Sequence, residues 1–289
     1  MGPGVLPASV TPLLPNGDVD HVGVVRLLAH FKTSGCSGVV LAGTNGEGPS
    51  LSAVEKRDLV KGAVNALEGF PIVLGVATSS LDEAIWSCES ARKVGAAGAL
   101  VMAPGYFREA SADGIAQWFE ALASKTELPL LIYNFPQRNG IVIPAETIAR
   151  LCRLDNVHGL KDSSGDLANV PSFAEAAKGK LLYTGAESIL LECLSAGWSG
   201  TISGASNVLA GWLSQIVREW STDRESAETK YALIAKGLKA LRSGAQPGLN
   251  KGVLHHMNLL DNPAPKLPLL PLAEAEVLAA WEELKPLVA

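Results

Sequence analysis

Lys161 closes the apolar run Val157–Lys161, a place where an ammonium group is costly unless it is paired or put to use. An apolar pocket disfavours the charged form, lowers the amine's pKa and frees it to attack a carbonyl carbon. Asp162 follows directly, so an ordinary lysine–carboxylate pair accounts for the residue equally well. Upstream, Tyr133-Asn134-Phe135-Pro136-Gln137-Arg138-Asn139-Gly140 follows another apolar run. Its tyrosine can move protons or hydrogen-bond a carbonyl, and Arg138 offers a planar fork for a carboxylate. Tyrosine at such a position is also ordinary packing. Nearer the start, the three glycines of Gly43-Thr44-Asn45-Gly46-Glu47-Gly48 allow a tight turn that presents N–H groups to an anion. Thr44 and Asn45 add side-chain donors, although a plain strand-to-helix turn explains the segment too. Weaker still are Tyr106, which could join a proton relay, and Ile202-Ser203-Gly204-Ala205, whose small residues could simply keep a site open.

Several other chemistries lose their footing. No Gly-Lys-Ser/Thr follows the glycine loop, so it is not a P-loop. His255 and His256 are adjacent and point different ways on a helix, His21, His30 and His158 are isolated, and no metal site is expected. A serine hydrolase would need a Gly-x-Ser-x-Gly elbow, which is missing. The formal charge of −5 argues against nucleic acid or an anionic membrane as partner. No apolar run approaches the roughly 20 residues that span a bilayer, and no leader-like segment opens the chain. Cys36, Cys88, Cys152 and Cys193 lie far apart with no CxxC pair, which reads as reduced thiols in a cytoplasmic protein.

Something must hold the candidate groups together. With 47% hydrophobic and 18% charged residues, the 289-residue chain is globular in composition. Apolar runs alternate with stretches of helical periodicity: Leu6–Thr11, Gly38–Ala42, Ile72–Ala77, Ala99–Ala103, Leu130–Phe135, Val157–Lys161, Leu181–Thr184 and Gly200–Ser203. Helix starts are signalled by Asp18 or Asp20, Ser52, Ser80, Ser111, Asp166 and Asn207, with Pro144 as a first-turn proline. Short, nearly continuous apolar strands are those of a buried parallel sheet. Repeated eight times, the unit predicts a (β/α)8 TIM barrel over residues 1–222, an open doubly wound sheet being the alternative. Residues 223–289 are expected to add a C-terminal helical extension, with Asn262–Pro271 as a surface loop. In such a barrel, chemistry gathers at the C-terminal ends of the strands, where the candidate segments fall.

Taken in order, these segments resemble the dihydrodipicolinate synthase/N-acetylneuraminate lyase family of class I aldolases. The likeness runs from Val10-Thr11-Pro12 through Gly200-Thr201-Ile202-Ser203-Gly204 and weakens in the C-terminal helices. Gly43-Thr44-Asn45-Gly46-Glu47 resembles the family's Gly-Thr/Ser-x-Gly-Glu loop, which implies that Thr44, Asn45 and Gly46 hold the carboxylate of a 2-oxo acid. Tyr133-Asn134-Phe135-Pro136 is similar to its Tyr-x-x-Pro motif, and Gly159-Leu160-Lys161-Asp162-Ser163 to the segment with the Schiff-base lysine. The resemblance implies a lyase without a cofactor. Lys161 would form an imine with pyruvate, the enamine would add to an aldehyde or form as a C–C bond breaks, and Tyr133 would move protons with Thr44 and Tyr106. Tyr106 aligns with a tyrosine that some members lend across a subunit interface. Ile202 and Ser203 would touch substrate, and the assembly would be a homotetramer built as a dimer of dimers.

The choice of second substrate divides the residues. Arg138, Thr44 and Tyr106 agree with dihydrodipicolinate synthases, which condense pyruvate with aspartate semialdehyde. Asn45, however, replaces their second threonine, and Ala245-Gln246-Pro247-Gly248-Leu249-Asn250-Lys251 departs from their Asn-Pro-x-Pro-x-Lys pattern. Ala53, Lys56 and Ser79 also differ from the lysine-inhibited members. Thr44-Asn45-Gly46-Glu47 and Lys161-Asp162-Ser163-Ser164-Gly165-Asp166 look more like aldolases for 4-hydroxy-2-oxoglutarate or 2-keto-3-deoxy sugar acids. A catabolic aldolase is therefore the expected member and the synthase its alternative. A non-catalytic 2-oxo acid binder is the reading outside the lyase class.

Overall fold

Runs rich in Val, Leu and Ile, too short for stable helices and buried on both faces, become parallel strands in the computed structural model, which describes residues 1–288. They are β1 (Gly4–Pro7), β2 (Val39–Leu41), β3 (Ile72–Val76), β4 (Gly98–Met102), β5 (Leu130–Asn134), β6 (Val157–Asp162), β7 (Leu181–Thr184) and β8 (Gly200–Ser203). Helices α1 (His21–Thr33), α2 (Ala53–Ala66), α3 (Leu81–Lys93) and α4 (Ala112–Ala123) follow the first four strands. The chain continues with α5 (Pro136–Asn139), α6 (Ala145–Leu151), α7 (Asn169–Ala176), α8 (Leu190–Ser195) and α9 (Ala210–Glu219). Beyond the barrel lie α10 (Arg224–Ala240), α11 (Gly248–His256) and α12 (Glu274–Val288). Ala289, the last residue of the expected extension, lies outside the described residues.

All eight strands form one parallel sheet in the order β1-β8-β7-β6-β5-β4-β3-β2. The ends meet at a bridge between Ala8 and Val40, which makes the sheet a TIM barrel rather than an open doubly wound sheet. Alternate residues of each strand fill the barrel, among them Leu6, Val40, Leu100, Leu131 and Tyr183. The other face meets the helices in a larger apolar layer that includes Val5, Val39, Leu74, Ile132 and Leu160.

Helix starts follow the capping residues closely. Asp20, Ser52, Ser80 and Ser111 each accept a backbone N–H of the first turn, and Ser52 with Glu55 makes a full capping box. Two expected starts do different work. Asp166 accepts the N–H of Ala168 in a turn ahead of α7. Asn207 accepts the N–H of Val10 and donates to the carbonyl of Ala8, tying the segment after β1 to the one after β8. β1 itself lies earlier than the apolar run Leu6–Thr11, because Gly4 to Pro7 is the stretch in register with Gly200 to Ser203. The C-terminal helices are packed on the barrel: α10 lies along α9, and α12 covers α10 and α11.

Candidate active site

Lys161 projects from the C-terminal end of β6, 4% exposed, in register with Tyr133 on β5 and Tyr183 on β7. Its Nζ stands 4.2 Å from the centre of the Tyr133 ring. Among the described residues it has no carboxylate partner. The alternative of a pair with Asp162 fails because adjacent strand residues face opposite ways. Asp162 instead accepts Asn134 Nδ2 at 2.7 Å and Ser164 Oγ at 2.6 Å, outside the barrel mouth.

The two tyrosines beside the lysine have different fates. Tyr183 donates its hydroxyl to the carbonyl of Gly2 at 2.5 Å, and burial raises its pKa strongly. Among the described residues the Tyr133 hydroxyl has one hydrogen-bond partner, Ser163 Oγ, which donates to it at 3.4 Å, and its side chain borders the cavity. Space beside the amine depends on a missing side chain. A Cβ on Gly185 would come within 1.9 Å of Ser163 Oγ and 2.8 Å of Lys161 Cε.

The loop after β2 is wound tightly. Ala42 and Glu47 have φ of 53° and 56°, and a Cβ on Gly48 would lie 1.8 Å from the carbonyl oxygen of Ala42. Thr11 Oγ1 holds the carbonyl of Gly46 at 2.6 Å. The N–H groups of Thr44, Asn45 and Gly46 have no protein acceptor among the described residues, which makes the turn a concave anion nest. Asn45 Oδ1 is buried and equally without a partner. Beneath the loop, the ion pair of Glu47 with Lys251 on α11 closes at 2.5 Å.

A cavity of about 260 Å³ joins these parts. Thr44, Asn45, Tyr133 and Lys161 line its inner wall, with a small apolar niche of about 10 Å³ continuing past them toward Leu100 and Met102. Arg138, on the short helix α5, lines the mouth, exposed and without a carboxylate partner among the described residues. Four of the expected site residues stand outside this wall. Gly46 supplies backbone behind Thr44 and Asn45. Ile202 is fully buried in the barrel interior, and Ser203 turns its hydroxyl to Ser206 at 3.3 Å. Tyr106 is 79% exposed, packed edge-on against Phe107 at 5.1 Å between ring centres. Gly204 and Ala205 take the place at the wall that Ile202 and Ser203 were expected to fill.

Other wall residues escaped the sequence reading. Ser163 was open to it, since it stands two places after Lys161, just past the end of β6. Gly185 and Glu187, after β7, carry no local signal. Leu238, Leu241, Arg242 and Gln246 reach the mouth from α10 and the turn behind it, a placement that only packing creates.

Residues 2–286 match the dihydrodipicolinate synthetase family. The chain belongs to that family. It is accordingly a pyruvate-dependent lyase of the class that works through a lysine Schiff base. Over 287 residues it is 30% identical to a 4-hydroxy-tetrahydrodipicolinate synthase of Methanosarcina acetivorans, covering 98% of both chains. The chloride-inhibited dihydrodipicolinate synthase of Acinetobacter baumannii, solved with pyruvate, superposes with a TM-score of 0.94 at 30% identity, with 100% of each chain covered. A dihydrodipicolinate synthase variant described as monomeric gives a TM-score of 0.93 at 28% identity, covering 98% of this chain and 96% of its own. No helix among the described residues is long and apolar enough to cross a membrane.

Proposed function

We propose that this family member condenses pyruvate with aspartate semialdehyde, as a 4-hydroxy-tetrahydrodipicolinate synthase, through Lys161. The observation that carries the role of Lys161 is its amine, unpaired and buried at a strand end, beside the Tyr133 ring and across one cavity from the Thr44–Gly46 nest. The expected order of substrates is reversed: the synthase stands ahead of the catabolic aldolase because full-length relatives carry that activity. Arg138 at the mouth supports it, as a fork for the aldehyde's carboxylate.

Each part then has a task. The nest and Thr44 hold the pyruvate carboxylate, so that the ketone carbon faces Lys161. The free amine adds to that carbon, water leaves, and the imine provides an electron sink. Loss of a C3 proton gives the enamine, whose carbon forms the new bond to the aldehyde carbon, and the resulting alkoxide takes up a proton. Tyr133 carries these protons, its hydroxyl kept at the cavity by Ser163. An amine or water finally releases the product from Lys161.

A second reading, an aldolase for 4-hydroxy-2-oxoglutarate, rests on the unpartnered Oδ1 of Asn45, which would accept a hydrogen bond from a substrate hydroxyl. A non-catalytic binder has no use for an unpaired amine beside an available phenol. Residues 1–222 are the unit that supplies the inner wall, with Arg138 and Glu187 at the mouth, and the following helices complete that mouth. The assembly is a homotetramer, in which Tyr106 would be covered by a partner, and the location is cytoplasmic, supported by four free, buried thiols.

Borohydride reduction with pyruvate, followed by peptide mass analysis, tests the central role. An adduct on Lys161 is expected, together with turnover of pyruvate and aspartate semialdehyde. An adduct elsewhere, or full turnover by Lys161→Ala, would overturn it. Turnover of 4-hydroxy-2-oxoglutarate alone would promote the second reading.

A further inference from the structure

The mouth of the cavity holds two arginines and a single carboxylate, and that carboxylate is already spent. Glu187 is 6% exposed; its Oε1 accepts the N–H of Ala205 at 2.9 Å and its Oε2 accepts Arg242 Nη2 at 3.1 Å. Its backbone is held as well, since the carbonyl takes the hydroxyl of Tyr231 on α10 at 2.7 Å. Arg242 lies in the turn just after α10, which Gln246 braces by donating to the carbonyl of Leu241 at 2.8 Å. The Arg242 side chain is 46% exposed, and the bond to Glu187 engages only one of a guanidinium's five N–H donors. The rest of its fork remains available at the mouth.

Charge decides what that fork can meet. Glu187 cancels Arg242, whereas Arg138 and Lys161 have no anion among the described residues. With the pyruvate carboxylate in the nest, an uncharged second substrate would leave a guanidinium at the mouth unanswered. We propose that Arg242, oriented by Glu187, is a specificity-determining residue that reads the distal carboxylate of the second substrate together with Arg138. The site therefore selects dicarboxylate-forming reactions over those of neutral sugar aldehydes. This rests on the proposed function for its chemistry but not for its choice between the two dicarboxylate reactions. The plainer alternative is a half-exposed ion pair that braces α10 and adds little.

Binding of a 2-oxo acid two carbons longer than pyruvate separates these without turnover. 2-Oxoglutarate carries a 2-oxo acid and a distal carboxylate; 2-oxopentanoate has the same carbon chain with that carboxylate replaced by a methyl group. Arg242→Gln is expected to weaken 2-oxoglutarate binding about 10- to 100-fold, the worth of a charge-assisted hydrogen bond, and to leave 2-oxopentanoate unchanged. Arg242→Lys should recover part of the loss. Glu187→Gln, which keeps an acceptor for Ala205 but loosens Arg242, should fall between. In turnover, Arg242→Gln should raise KM for aspartate semialdehyde or 4-hydroxy-2-oxoglutarate and leave KM for pyruvate alone. Equal weakening of both probes would show a brace only, and no change in either would remove Arg242 from recognition. Failure of wild-type protein to trap pyruvate at Lys161 would instead strike the proposed function, and the probe-binding comparison would still decide the role of Arg242.

Discussion

Glu47 and Lys251, distant in sequence, form an ion pair of 2.5 Å in which the lysine side chain is 0% and the glutamate 1% exposed. Lys251 Nζ also donates to the carbonyl of Ala264 at 3.1 Å, and the backbone N–H of Lys266 donates to the other Glu47 oxygen. Burial pulls the Lys251 amine below its usual pKa, and Glu47 partly restores it. Glu47 has the left-handed conformation that follows the anion nest, so this buried pair anchors the Thr44–Gly46 turn to α11 and to the segment before α12.

Removing one partner should therefore cost more than removing both. Lys251→Met is expected to lower stability by about 3–5 kcal/mol, because it leaves a carboxylate buried and unpaired. The double variant Glu47→Gln/Lys251→Met should recover much of that loss in denaturant titrations. If the double variant is no more stable than the single one, the pair is not the source of the effect.

Tyr133 and Tyr183 flank the same lysine, yet only Tyr133 keeps its hydroxyl at the cavity. Tyr133→Phe should reduce kcat by about 10²- to 10⁴-fold, the usual worth of a positioned proton donor. Stopped-flow measurement should show a much smaller change in pyruvate binding. Tyr183→Phe is expected to lower stability and to spare kcat. The reverse pattern would assign proton transfer to the wrong ring.

Gly185→Ala tests the space next to the amine. The new methyl would collide with Ser163 Oγ and Lys161 Cε, forcing shifts that cost about 1–3 kcal/mol. Imine formation, read by borohydride trapping rate at saturating pyruvate, should slow at least tenfold, since a misplacement of about an ångström is enough. An unaltered rate would mean that the lysine reaches its working position along another path.

Glu55 makes stability depend on acid. Burial acts to raise its pKa, but hydrogen bonds from Lys266 and from the Ser52 cap outweigh it and hold the group at about 2. A carboxyl depressed from its ordinary value of 4.5 contributes fully above that value and loses its contribution as pH falls toward about 2. The side chain is 34% exposed, so solvent screening keeps the contribution modest. Melting temperatures of Glu55→Gln and the native chain should converge across that window. Parallel curves would exclude Glu55 from the acid response.

Much of this architecture was open to local reading. Ser52 with Glu55, Ser80 and Ser111 marked helix starts because capping involves side chain and backbone only three residues apart. Lys161, Tyr133, Thr44 and Asn45 were readable because barrel chemistry follows strand ends, and strand ends are local features. Asn207 misled for the opposite reason: its partners Ala8 and Val10 are at the far end of the chain, so its amide closes the barrel instead of capping a helix.

The sequence alone determined the alternation of strands and helices, the buried amine at a strand end and the glycines that permit the nest, since each follows from neighbouring residues. Tertiary structure decided which of two registered tyrosines keeps its hydroxyl at the cavity, that Asn134 takes up Asp162, and that Arg242 meets Glu187 at the mouth. Those outcomes depend on how strands close and how α10 lies against the barrel. The contacts involved join side chains far apart along the chain, and no local pattern specifies them.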